Sequence, residues 1–210
     1  MIVAIDGPAG TGKSTVARRL AERLGFRYLD TGAMYRALTW LALERGVDLG
    51  DTEGLVALAR DNVTDIEGDR VAIAGQDVSD LIRTAEIDRI VSSVACHHPV
   101  REVLRERQRA LAEEGNAVME GRDIGAVVAS DADVKVYLVA DAAVRAQRRE
   151  AERPGLGADA LATDLRLRDE RDAGQLRPAA DAETIDTTSL TIDEVVARIA
   201  ARIEAAQARA

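Results

Sequence analysis

Aromatic residues are scarce in this sequence, with one Trp, one Phe and three Tyr among 210 positions. Proteins that hold single-stranded nucleic acid by base stacking need more rings than that. The 47% hydrophobic content therefore goes into an aliphatic core of Ala, Val, Leu and Ile. Cysteine is nearly absent: the lone Cys96 can close no internal disulfide, and no Cys/His spacing matches a zinc site, which together imply a reducing compartment. Positive charge is in deficit, with 28 Lys and Arg against 37 Asp and Glu and a net charge of -9. Polyanion affinity runs on surplus cations, so nucleic acid is not the expected partner. No apolar run approaches the roughly 20 residues needed to cross a bilayer, and the N-terminus shows no charged region followed by an apolar stretch. These absences lead to the expectation of a cytoplasmic monomer, a single domain over 1–210, acting on small molecules with neither membrane nor nucleic acid as partner.

What is present is an alternation of short apolar runs and amphipathic stretches. Ile2 to Asp6 reads as a strand ending at Gly7, and Lys13 to Leu24 as a helix with Val16, Leu20 and Leu24 on one face and Gly25 as its stop. Phe26 to Asp30 reads as a second strand, after which Thr31 is the expected cap of a helix that turns Met34, Leu38, Leu41 and Ala42 inward. Between Val63 and Val78 short alternating runs broken by Glu67-Gly68-Asp69 and Gly75-Gln76-Asp77 predict an inserted antiparallel hairpin. A charged helix from Pro99 to about Glu114, then strands at Ala117–Met119, Lys135–Val139 and Thr184–Asp186, complete a parallel α/β sandwich of five strands with helices on both faces. An Arg-rich helix opens at Asp141, and Pro154-Gly155-Leu156-Gly157 is the expected hinge of a short lid over about 150–172.

Gly7-Pro8-Ala9-Gly10-Thr11-Gly12-Lys13-Ser14 fits G-x-x-x-x-G-K-[ST] between strand and helix, where its mechanics require it. Glycines let backbone N–H groups converge on a phosphate, the helix start adds its dipole, Lys13 reaches the β- and γ-phosphates, and Ser14, followed by Thr15, holds Mg²⁺. That is the signature of a nucleotide triphosphate site.

Charged clusters elsewhere point to a second substrate. Arg36, just beyond the second strand, sits where the loops of an open α/β sheet gather around a ligand, and is a candidate for an acceptor phosphate. Arg122 and Asp123 follow a buried strand, where an unpartnered charge is expensive, so they have an ion-pair role or a ligand. Arg168 and Arg171 share a helix face beside Asp172, as a solvated ion-pair helix or as two guanidinium groups over a transferring phosphoryl group. His97 and His98 have no nucleophile beside them and read as a helix-end surface pair. Cys96 reads as a small buried apolar residue, and Trp40 as core or pocket wall.

The segments IDGPAGTGKST, YLDTGAMYRA, VSDLIRT, EGRDIGAVV and RDERD, in this order and spacing, resemble the bacterial cytidylate kinase family of nucleoside monophosphate kinases along nearly the whole chain. The resemblance implies ATP-dependent phosphorylation of CMP and dCMP, a P-loop fold, a monophosphate-binding region over about 31–95 carrying the small antiparallel sheet, and a mobile lid. It also assigns roles. Arg36, Arg122 and Thr31, with Tyr35 nearby, resemble the acceptor-phosphate side of the site; Ser92, Arg101 and Asp123 resemble the readers of cytosine. Arg168 and Asp172 resemble contacts to sugar and phosphate, and Arg171 the lid arginine on the ATP phosphates. The chain departs from the family pattern at Glu120, where Asp is usual, and at Gln175, where Arg is usual, with Arg177 the next arginine along. A shikimate-type small-molecule kinase would share the phosphate loop but not an insertion built for a nucleotide. A GTP-dependent switch would need an N-K-x-D motif, which the chain lacks.

Overall fold

The computed structural model describes residues 1–152 and 157–208. In chain order its regular elements are β1 (Ile2–Asp6), α1 (Lys13–Leu24), β2 (Arg27–Asp30), α2 (Thr31–Glu44), α3 (Thr52–Asp61), β3 (Thr64–Glu67), β4 (Arg70–Ile73), β5 (Gln76–Asp77), α4 (Ala85–Ala95), α5 (His98–Glu113), β6 (Ala117–Gly121), β7 (Val134–Val139), α6 (Ala142–Glu152), α7 (Ala158–Asp172), β8 (Glu183–Asp186) and α8 (Ile192–Gln207). The chain divides into two compact units, one of Met1–Tyr28 with Glu114–Ala210 and the other of Leu29–Glu113.

The first unit holds most of a five-stranded sheet of order β2-β6-β1-β7-β8. Val3, Ile5, Val118, Val136, Leu138 and Ile185 project from its strands into one aliphatic core with Val16, Leu20, Val195, Ile199 and Ile203 of α1 and α8. Each such side chain contributes about 1.5–3 kcal/mol on burial, so the near absence of rings leaves the core no weaker. β1 pairs in parallel with β6 from Ile2↔Ala117 to Asp6↔Gly121, and with β7 up to Asp6↔Tyr137. Because these strands end level, Gly7 and Arg122 leave the sheet side by side at the crevice where strand order reverses. α8 starts with a reciprocal cap: Thr191 Oγ1 accepts the Glu194 N–H, and the Glu194 carboxylate accepts the Thr191 N–H at 2.8 Å. Thr191→Ala should cost about 1 kcal/mol and lower the melting temperature by ~2–4 °C, read by calorimetry, with catalytic parameters untouched.

The second unit has its own core, in which Met34, Leu38, Leu41 and Ala42 of α2 meet Leu55 of α3, Ile73 of β4, Ile82, Ile87 and Val91 of α4, and Leu104 of α5. Trp40 belongs to it as expected. The predicted hairpin is a three-stranded antiparallel sheet, β3-β4-β5, since the chain turns back again at Ala74-Gly75. Thr31 does not cap α2. The cap is Asp30, whose Oδ1 accepts the Ala33 N–H at 2.9 Å, because a carboxylate reaches the third amide of the helix from the residue before it. Helix α5 starts at His98, one residue before Pro99.

Candidate active site

The phosphate loop takes its form from three glycines with φ of 145°, 81° and 90° at positions 7, 10 and 12. At Gly7 a Cβ would lie 2.2 Å from the Leu138 carbonyl oxygen, so any side chain would push the loop off β7. The loop's carbonyl oxygens are drawn off by donors. Gly7 O accepts from Arg122 Nη1 at 2.7 Å, and Pro8 O from Thr11 Oγ1 at 3.0 Å and Lys13 Nζ at 3.3 Å. Ala9 O accepts from Arg145 at 3.1 Å, and Thr11 O from Thr187 Oγ1 at 3.1 Å and Arg148 at 3.4 Å. Neutralising those oxygens matters because each would otherwise repel a phosphate, and it leaves the loop's field positive. Ser14 and Thr15 stand exposed on the first turn of α1.

Around Lys13 charges crowd. Its Nζ lies 3.8 Å from Glu120 Oε2, and its side chain is about 10% exposed. Glu120 also accepts the Tyr28 hydroxyl at 2.9 Å. Arg122 Nε meets Asp172 Oδ2 at 3.1 Å, and Arg168 Nε approaches the same oxygen at 3.7 Å, so one buried carboxylate from the end of α7 serves two guanidinium groups. Burial, and next Arg122, lower the Lys13 pKa to about 7; Glu120 opposes them, while Arg168 and Arg149 add to the depression. Burial and the neighbouring guanidinium groups together outweigh Glu120, so the Lys13 ammonium is unfavourable until an anion arrives. Asp123 is buried beside Arg122, whereas Arg171 lies exposed near the C-terminus of α7.

In the second unit Arg36 of α2 is held by the Ile82 carbonyl oxygen at 3.2 Å and by a short ion pair with Asp88 of α4. Thr31, at the first position of α2, is buried, and Asp30 pairs with Arg83 at 3.3 Å. Arg101 of α5 is buried, with its guanidinium carbon 5.6 Å from the centre of the Tyr35 ring and Nη1 3.5 Å from the Ala95 carbonyl oxygen. Ser92 of α4 is also buried. A buried arginine over a ring, with polar groups on flanking helices, is an arrangement suited to reading a planar polar ligand.

The sequence model of the cytidylate kinase family matches residues 3–205. The chain belongs to that family. The cytidylate kinase of Geobacillus kaustophilus (strain HTA426) is 49% identical to it, over 94% of this chain and 93% of the relative. That of Rhodococcus opacus (strain B4) is likewise 49% identical, over 95% and 93%. Among solved structures, an uncharacterized protein from Eubacterium ventriosum ATCC 27560 superposes over 98% of both chains with a TM-score of 0.57 at 16% identity, a likeness of fold alone.

Within this member of the cytidylate kinase family, several site residues escape a reading of the sequence. Arg145 and Arg148 of α6 hold the loop carbonyls at Ala9 and Thr11, and Arg145 is itself paired with Asp169 of α7 at 2.7 Å. The Arg-rich start of α6 is the visible signal, but nothing local names the oxygens these side chains reach. Asp88, the counter-ion of Arg36, lies 52 residues from it and gives no signal at all. Two residues set aside earlier sit differently from expectation. Cys96 is exposed at the end of α4, because the buried face of that helix is taken by Ile87, Val91 and Val94. His97 is a bridge more than a surface residue: Nε2 donates to the Leu49 carbonyl oxygen at 2.9 Å, leaving Nδ1 to accept the Thr52 hydroxyl at 2.7 Å. His98 is exposed, as expected. Pro154, Gly155 and Leu156 of the expected lid hinge lie outside the described residues.

Proposed function

We propose that the protein transfers the γ-phosphate of ATP directly to CMP and dCMP, forming the diphosphates of pyrimidine nucleotide metabolism. The observation that carries this is Lys13, whose Nζ donates to the Pro8 carbonyl oxygen of the phosphate loop and lies 3.8 Å from Glu120, in a chain of the cytidylate kinase family. Phosphoryl transfer passes through a loose transition state with charge spread over equatorial oxygens, and asks for positioning and positive charge more than for a covalent partner. Residues Gly7 to Thr15 cradle the donor phosphates, with Lys13 on the β- and γ-phosphates. Arg122, Arg168 and Arg171 offset the charge that develops on the transferring group. The family resemblance assigns Thr31, Tyr35, Arg36 and Arg122 to the acceptor phosphate, Ser92, Arg101 and Asp123 to the base, and Arg168 and Asp172 to the sugar and phosphate. The acceptor oxygen is already anionic, so no residue is needed as a proton abstractor.

Mg²⁺ fits the residues present. Ser14 offers an exposed hydroxyl oxygen at the start of α1, and a small hard cation that keeps several waters needs few protein ligands when phosphates supply the rest. A cation held there would offset the negative charge of the donor phosphates. Net charge, a single cysteine and the scattered exposed hydrophobic residues Leu43, Val63, Leu81 and Leu167 support the reading of a cytoplasmic monomer. Among the described residues no helix is long and apolar enough to cross a membrane.

A coupled assay with ATP and each nucleoside monophosphate in turn tests the assignment: CMP and dCMP should be turned over best, and turnover of none of them would reject it. The segment from Asp141 to Asp172, from which Arg145 and Arg148 of α6 reach carbonyl oxygens of the phosphate loop, is proposed to close as a lid that excludes water and limits ATP hydrolysis. Its amides should exchange more slowly with CMP and an ATP analogue both bound than with neither. Equal exchange in the two states removes the lid.

A further inference from the structure

We propose that Asp6, the last residue of β1, is a positioning residue for phosphoryl transfer that fixes the Arg122–Asp123 corner against the phosphate loop. The inference rests on the kinase reading above for what that corner does, but its geometry stands apart from it. Asp6 is 3% exposed. Its Oδ1 accepts the Ile124 N–H and its Oδ2 the Gly125 N–H, both at 2.8 Å. Those amides open a five-residue π-type turn, Ile124–Val128, an irregular piece of backbone with no periodic ladder to fix where it begins. Arg122 and Asp123 are the two residues between the end of β6 and that turn. From the other side, Arg122 Nη1 grips the carbonyl oxygen of Gly7, the residue after Asp6. The corner is therefore clamped at both ends to two successive residues, one at the end of β1 and one at the start of the phosphate loop.

A buried carboxylate is a costly way to fill space, and Asn or Ser at this place would offer only one acceptor oxygen to two parallel amides. Burial raises the Asp6 pKa to about 6; the two amides and Lys13 pull it down, and Asp123 pushes it up. Tyr137 of β7 also feels its charge. Protonation turns one acceptor oxygen into a hydroxyl and leaves one amide without its partner, so the clamp loosens in acid. The side chain is directed to backbone amides, and it acts on the reaction through Arg122 and Asp123.

The test compares Asp6→Asn, Arg122→Met and the double variant, with wild type, for kcat and for KM of ATP and CMP. Misplacing a catalytic corner by about an ångström costs on the order of 10²-fold. Asp6→Asn should therefore lose about that factor in kcat at unchanged KM for ATP, and the double variant should lose no more than Arg122→Met alone. Multiplying losses in the double variant, or wild-type kcat in Asp6→Asn, would overturn the proposal. CMP's own phosphate titrates near pH 6, so the acid readout is taken on the ligand-free wild-type protein by NMR, which also decides the matter should Asp6→Asn not fold. The amide protons of Ile124 and Gly125 and the Arg122 Nε proton should shift together as the Asp6 carboxyl titrates. If that carboxyl titrates while the three protons stay put, the clamp does not exist. A wild-type protein inactive toward every monophosphate sinks the kinase reading and leaves this NMR result to judge the clamp by itself.

Discussion

Lys13→Met should lower kcat by at least ~10²-fold, the scale for removing one electrostatic stabiliser from a transition state, while the protein folds as before. The same substitution should raise the melting temperature of the unliganded protein near neutral pH. The sign follows from burial. The Lys13 pKa falls from 10.5 in the unfolded chain to about 7 in the folded one, so across that interval the unfolded state binds more protons than the folded state. Stability contributed by this group therefore rises as pH rises from about 7 to 10.5, and below about 7 the full cost of a buried ammonium beside Arg122 is present. Methionine keeps the length and removes the charge. Its advantage in melting temperature should be largest at or below pH 7 and shrink toward pH 10, with each kcal/mol worth ~2–4 °C in a chain of this size. ATP phosphates offset the buried Lys13 ammonium, so saturating nucleotide should reverse the order and make wild type the more stable protein. A variant with wild-type turnover, or one less stable than wild type at pH 6, would falsify the account of Lys13 as a strained phosphate ligand.

Arg101→Met should reduce kcat/KM for CMP by ~1–3 kcal/mol of transition-state binding and change that for UMP less. Cytosine pairs an N4 amino donor with an N3 acceptor, and uracil reverses both. An arginine donating toward N3 and a carboxylate accepting from N4 form a pattern uracil cannot match, and buried polar groups left unpaired discriminate more sharply than an apolar pocket. In the structure Arg101 is buried, its guanidinium over the Tyr35 ring and its Nη1 3.5 Å from the Ala95 carbonyl oxygen. Steady-state kinetics with both nucleotides decides the role. An equal fall for CMP and UMP would assign Arg101 to phosphate or to the fold, and a melting temperature measured beside it separates those two.

The fold and the geometry of the glycine loop were legible in the sequence because they depend on short-range chemistry. The phosphate loop is eight consecutive residues whose glycine spacing, flanking strand and following helix are all local, and the structure places β1 at Ile2–Asp6 and α1 at Lys13–Leu24 as that spacing requires. Hydrophobic periodicity likewise located the strands at 134–139 and 183–186 to within one residue. Small errors came where two neighbours compete for one local role, as Asp30 and Thr31 do for the cap of α2. Tertiary structure alone decided which charges meet. Nothing near Asp6 in the chain says that its two oxygens take amides 118 and 119 residues away. The same holds for Asp172 under both Arg122 and Arg168, and for Arg145 on the Ala9 carbonyl oxygen. Such partners are chosen by strand register: the parallel pairing that sets Asp6 opposite Gly121 brings the ends of β1 and β6 level, and electrostatics then selects among the groups gathered there. A sequence carries the periodicity that makes each strand and the charges that will need partners, while the register that joins them is a property of the packed sheet.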